Sequence, residues 1–134
     1  MKKVFAYVCL LNGLYDIILG FTMFAAPAFM GVLISATIDI YFIANIQVVG
    51  ALLISLGIAL IAAFRNLDQL LIVPFIKIIA HFLAAGSMIY HTVVSALSLN
   101  IIILAGVDLI FGILYILFFL LIKDYTLTSA FKAG

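Results

Sequence analysis

The sequence predicts an all-α integral membrane protein: a four-helix bundle with its N and C termini in the cytoplasm. Three observations carry that expectation. Apolar residues make up 69% of the 134-residue chain and charged residues 8%, with a mean hydropathy of +1.51. A soluble domain is about half apolar and about a quarter charged, and a small domain leaves much of its surface wet. The apolar residues also fall into four runs, each long enough for the roughly 20 residues that cross a bilayer core. Finally, the basic residues outside those runs collect on one side of a four-pass topology.

The first helix is expected over residues 4–26, where Pro27 ends it by lacking an amide proton. Lys2-Lys3 ahead of an apolar run, with Ala26-Pro27-Ala28 behind it, also has the outline of a signal peptide. Asn12 and Asp16 interrupt its apolar core, so the run reads as a spanning helix. Residues 27–39 include Phe29, Met30, Val32, Leu33 and Ile34, and are expected to lie as a loop in the membrane interface. The second helix is expected over 40–64. The polar run Arg65-Asn66-Leu67-Asp68-Gln69 then makes a tight turn. The third follows over 70–97, with Pro74 in its first turns, where a missing N–H costs least. Ser98-Leu99-Asn100 turns into the fourth helix, over 101–122.

Lys2, Lys3, Arg65, Lys123 and Lys132 fall on one side of this topology, and segments 27–39 and 98–100 contain no Lys or Arg. The positive-inside rule therefore places both termini in the cytoplasm. A net charge of +1 offers no basic field for nucleic acid. Cys9 is the single cysteine, which excludes an internal disulfide and a cysteine-based metal cage.

Ionisable groups inside a spanning segment are costly and mark candidate sites. At about 1.5 Å rise per residue, Asp16 lies roughly 18 Å from the cytoplasmic end of its helix and Asp108 roughly 11 Å from the outer end of the fourth. His81 lies roughly 16 Å in, and Asn45 and Gln47 roughly 8–11 Å from the outer end of the second helix. Each helix thus offers a polar group to one layer of the membrane. Asn12, Asp16 and Gly20 share a stripe, as do Ala105, Asp108, Gly112 and Tyr115. Lys77, His81 and Ala84 share a third, and Gln47, Gly50 and Ala51 a fourth. Small residues beside polar ones mark helix contacts in membranes, so these faces are expected to turn inward.

Two readings of them stay open. In one, the polar groups only hydrogen-bond across helices. In the other, Asp16, Asp108, His81, Gln47, Asn12 and Asn45 bind a lipid-like ligand or carry a proton. Lys77, roughly 10 Å into the membrane, either snorkels to the headgroups or pairs with a buried Asp. With Arg65 it would hold an anionic lipid headgroup. No His-x-x-x-His or Glu-x-x-His spacing points to a metal, and His91 is expected at the outer interface. No phosphate loop or nucleophile elbow is present, so neither an active site nor a cofactor is expected. Asp16-Ile17-Ile18-Leu19-Gly20 and Asp108-Leu109-Ile110-Phe111-Gly112 share the pattern Asp, three apolar residues, Gly, as a two-helix duplication would leave.

The segment Gln47-Val48-Val49-Gly50-Ala51-Leu52-Leu53-Ile54-Ser55-Leu56-Gly57, with Arg65-Asn66, Lys77 and Gly106-Val107-Asp108-Leu109-Ile110, resembles the DoxX-like small bacterial four-helix membrane proteins. That resemblance spans most of the chain. It implies an inner-membrane bundle and carries over only Lys77 and Asp108 among polar residues, with no catalytic group. Small multidrug transporters are a poorer match: their first-helix acid is Glu and their aromatic positions include Trp, both absent here. The expected function is a non-enzymatic accessory or assembly subunit, or a binder of a lipid-like ligand at a polar centre. The alternative is a small proton-coupled transporter using Asp16 or Asp108. Membrane lipids, and a homo-oligomer or larger complex, are the expected partners.

Overall fold

The computed structural model describes residues 1–34, 36–95 and 100–122. They form five helices: α1 Lys2–Ala25, α2 Pro27–Ile34, α3 Ile40–Arg65, α4 Ile72–Ser95 and α5 Asn100–Leu121. There is no strand among the described residues. α1, α3, α4 and α5 are each long and apolar enough to cross a membrane, the architecture of a multi-pass membrane protein.

The helix boundaries follow from local chemistry. α1 ends where a residue preceding proline is steered out of helical geometry: Ala26 sits at φ −133°, ψ 57°, and its N–H still reaches Thr22 O. Pro27 then occupies the first position of α2, where no N–H is needed. The structure therefore corrects the expected interfacial loop, since residues 27–34 are helical. This helix buries Met30 and Gly31 against the bundle and exposes Phe29 and Val32. Asp39 caps α3, its Oδ1 accepting from Phe42 N at 2.7 Å. Arg65 closes α3 beside the negative end of its dipole. The turn after it is tied by Leu70 N–H to Asn66 O at 3.1 Å and by a short contact between the Asn66 and Gln69 side chains. α4 starts at Ile72 rather than residue 70, because Leu70 still belongs to this turn. Lys2 pairs with Asp68 at 2.9 Å, which sets the start of α1 and the α3–α4 turn at one end of the bundle. The expected ends near residue 97, the Ser98-Leu99 turn, Lys123 and Lys132 lie outside the described residues.

α1 packs most extensively on α3, and α4 on α5. In lipid, apolar side chains gain little by leaving the solvent, so helices associate through close packing and polar contacts. Glycines make the first pair possible. A Cβ on Gly20 would stand 2.6 Å from Gly50 O, and one on Gly57 would stand 2.6 Å from Gly13 O. The two backbones touch at two levels seven residues apart.

The interior has three layers. At the end marked by Lys2, an aromatic core surrounds Phe5, which stacks on Phe118 at 4.8 Å and meets Tyr115 edge-on at 5.7 Å. Cys9, Leu60, Leu67, Leu71 and Ile122 complete it. Polar side chains fill the middle layer. Toward the far end, Met23, Met30 and Met88 border two cavities.

Candidate functional site

The middle layer draws a polar group from three of the four spanning helices. On α1, Asn12 and Asp16 are one turn apart and point the same way. On α4, Lys77 and His81 repeat that spacing. On α5, Asp108 and Tyr115 are two turns apart. All six are buried, with Asp108 the most accessible at 8%.

They form one network. Lys77 Nζ lies 2.8 Å from Asp16 Oδ2, and His81 Nδ1 lies 2.6 Å from Asp108 Oδ1. Asn12 joins the two pairs. Its amino group faces Asp16 Oδ1 at 3.4 Å, and its carbonyl accepts from Tyr115 OH at 2.7 Å and from His81 Nε2 at 3.0 Å. The reverse amide orientation would set the Asn12 carbonyl against the Asp16 carboxyl, so Nε2 is the donor in this arrangement. A further proton must then sit between Nδ1 and Asp108, because two acceptors would not approach to 2.6 Å. The His81 ring is held by stacking on Phe111 at 5.8 Å and by Tyr115 at 5.9 Å.

Several expectations are met and others corrected. Asn12, Asp16, His81 and Asp108 come together, and the stripes on α1 and α5 turn inward along their length. Lys77 does not snorkel: it is 2% exposed and committed to Asp16. An ammonium that can pair at 2.8 Å with a buried carboxyl has no need to bend toward the headgroups. Lys77 and Arg65 therefore do not form a joint headgroup site, and Arg65 stays exposed at the end of α3. Asn45 is exposed, and Gln47 is half-buried, donating to Phe24 O at 3.1 Å. Neither reaches the network. The face of α3 is set by Gly50 and Gly57 against α1, and Asn45, five residues before Gly50, is rotated about 140° from it. His91 is exposed toward the far end of the bundle.

The network forms the floor of a cavity of about 190 Å³ between α1, α3 and α4. Its polar lining is Tyr15, Asp16, Lys77, His81 and Asp108; its walls are apolar, among them Leu19, Leu53, Leu56 and Ala84. Met23 and Met88 also line a second, apolar cavity of about 190 Å³ that reaches Met30, His91 and Ile101. The two spaces thus adjoin, polar at the middle of the bundle and apolar toward the far end. Tyr15 is the member that sequence reasoning missed. It is one residue from Asp16, about 100° round the helix, and so off the four-residue repeat of Asn12, Asp16 and Gly20. Its hydroxyl is buried and has no hydrogen-bond partner among the described residues. Among the described residues, no group of three His, Cys, Asp or Glu side chains is placed to hold a metal ion.

Comparison of the chain with protein-family models, with curated proteins and with solved structures finds no match to any of them.

Proposed function

We propose that this protein is an inner-membrane binder of a lipid-like amphiphile, whose polar head meets the buried network and whose apolar part lies along the methionine-lined crevice. One observation carries the reading: a cavity whose floor is polar, whose walls are apolar and which adjoins a second apolar space. A purely structural network would be packed over by side chains, as the aromatic layer is packed around Phe5. Ligand sites combine apolar walls with a few convergent polar groups in this way. The positive-inside pattern supports a cytoplasmic location for both termini, and the DoxX-like resemblance supports the inner membrane. The bundle's outer faces are apolar along α1, α3, α4 and α5, which suits an accessory subunit within a larger complex as well as a protein surrounded by lipid.

A second reading, proton-coupled transport, is favoured by one specific feature. Asp16 and Asp108, each paired with a basic side chain, line the same cavity. Transport requires the same occupied site, so binding is the prior question.

A long-chain alcohol carrying a photoreactive diazirine in its chain tests the binding reading. Irradiation of the protein in nanodiscs, followed by peptide mass spectrometry, is expected to label α1 near Met23 and α4 near Met88. Labelling confined to outward residues such as Leu83 and Val93 would contradict it. The variant Ala84→Phe, which fills the cavity from its α4 wall, is expected to abolish the crevice labels and leave the outward ones.

A further inference from the structure

The charge balance of the network points to the class of head it accepts. We infer that the site selects a neutral hydroxyl or carbonyl head, held by the Tyr15 hydroxyl, and rejects both anionic and cationic amphiphiles. This inference rests on the amphiphile-binding reading and narrows it.

The ionisable groups facing the cavity are Asp16 and Tyr15 from α1, Lys77 and His81 from α4, and Asp108 from α5; α3 contributes only apolar residues. Lys77 and Asp16, 2.8 Å apart, pair as ammonium and carboxylate and sum to zero charge. His81 and Asp108, 2.6 Å apart, also sum to zero, because Nε2 donates to Asn12 and one more proton lies between Nδ1 and the carboxyl. Tyr15 in its hydroxyl form adds nothing. The floor is therefore polar but uncharged as a whole. A charged head entering it would lose its hydration and find every opposite charge already engaged, a costly state in a low-dielectric interior.

A neutral head faces no such cost, and one group waits for it. Tyr15 lines the cavity, and its hydroxyl is buried and lacks a partner among the described residues. A buried unpaired hydroxyl is unfavourable, and it can both donate and accept. A hydroxyl or carbonyl oxygen on the ligand satisfies it. Size agrees: a cavity of about 150 Å³ admits benzene, so one of about 190 Å³ takes a small head and the first carbons of a chain. The chain then continues past Met23 and Met88 into the second cavity.

Three probes with one chain and different heads decide the matter: oleyl alcohol, oleyl sulfate and oleylamine. Each is titrated into the protein in nanodiscs and its binding read by native mass spectrometry. Wild type is expected to bind oleyl alcohol at least about tenfold more tightly than either charged probe, a difference of about 1.4 kcal/mol. Tyr15→Phe is expected to weaken oleyl alcohol about five- to tenfold, with the helical circular dichroism unchanged, as for loss of one hydrogen bond to a buried group. Asp16→Asn leaves the Lys77 ammonium uncompensated and is expected to shift preference to oleyl sulfate, which separates charge from head size as the cause of rejection. Equal or tighter binding of a charged probe by wild type, or full oleyl alcohol affinity in Tyr15→Phe, overturns the neutral-head inference and leaves amphiphile binding standing. Failure of all three probes to bind, or binding that Ala84→Phe does not reduce, overturns the amphiphile reading itself.

Discussion

Lys77 and Asp16 illustrate how a membrane-embedded charge is tolerated here: each is nearly inaccessible and each is the other's counter-ion at 2.8 Å. Removing one partner strands the other. Lys77→Met is expected to lower unfolding stability by about 3–5 kcal/mol, and Lys77→Met with Asp16→Leu to recover most of that loss, because apolar replacement of a whole buried pair is often neutral. Reversible denaturation in mixed micelles measures both; equal stability of Lys77→Met and wild type would contradict the pair. Tyr115 makes a milder contrast. Its hydroxyl is one of two donors to the Asn12 carbonyl, so Tyr115→Phe leaves that carbonyl satisfied by His81. The expected loss is about 0.6 kcal/mol, the average for an interhelical hydrogen bond in a membrane protein.

Between helices, the α1–α3 contact depends on glycine for close approach. Gly50→Leu must push α1 and α3 apart, since even a Cβ there would stand 2.6 Å from Gly20 O. A Cβ on Gly86 of α4 would meet nothing within 4 Å, and Gly86→Ala is expected to hold or raise the melting temperature. Measured side by side, a tolerated Gly50→Leu would show that the α1–α3 packing is not what joins these helices. Much of this level is legible in the sequence. Four spans follow from hydropathy alone, and the inward stripes of α1 and α5 follow from residues spaced by four and three. α2 is not legible, because the seven residues that follow Pro27 in it carry no periodicity that separates a short helix from an interfacial loop. The rotation of α3 is not legible either. Its polar residues Asn45 and Gln47 lie about 200° apart and name no single face, whereas Gly50 and Gly57 set the one that packs on α1, with Gln47 beside it. Lys77 falls on the correct stripe of α4, but its destination cannot be read from that helix, since the pairing depends on where a different helix puts Asp16.

Across the whole molecule, one end is closed by aromatic packing and the other is opened by adjoining cavities. The positive-inside pattern predicts a topology that labelling can test. Single cysteines placed at Lys3 and Asp68, in a Cys9→Ser background, are expected to react with a membrane-impermeant maleimide only from the cytoplasmic face, and one at Ile38 only from the opposite face. The Lys2–Asp68 contact already requires the first two to share a side. Between these two ends, the polar middle layer serves either as the floor of a ligand site, as we propose, or solely as a set of helix contacts. Native mass spectrometry of the protein released from lipid nanodiscs, wild type beside Asp16→Asn/Asp108→Asn, separates the two. A small amphiphile that stays bound to wild type and is lost from the double variant is the predicted result. A bundle that carries no small molecule, with a spectrum unaltered by the two substitutions, would contradict the ligand site and leave the network as interhelical contacts alone.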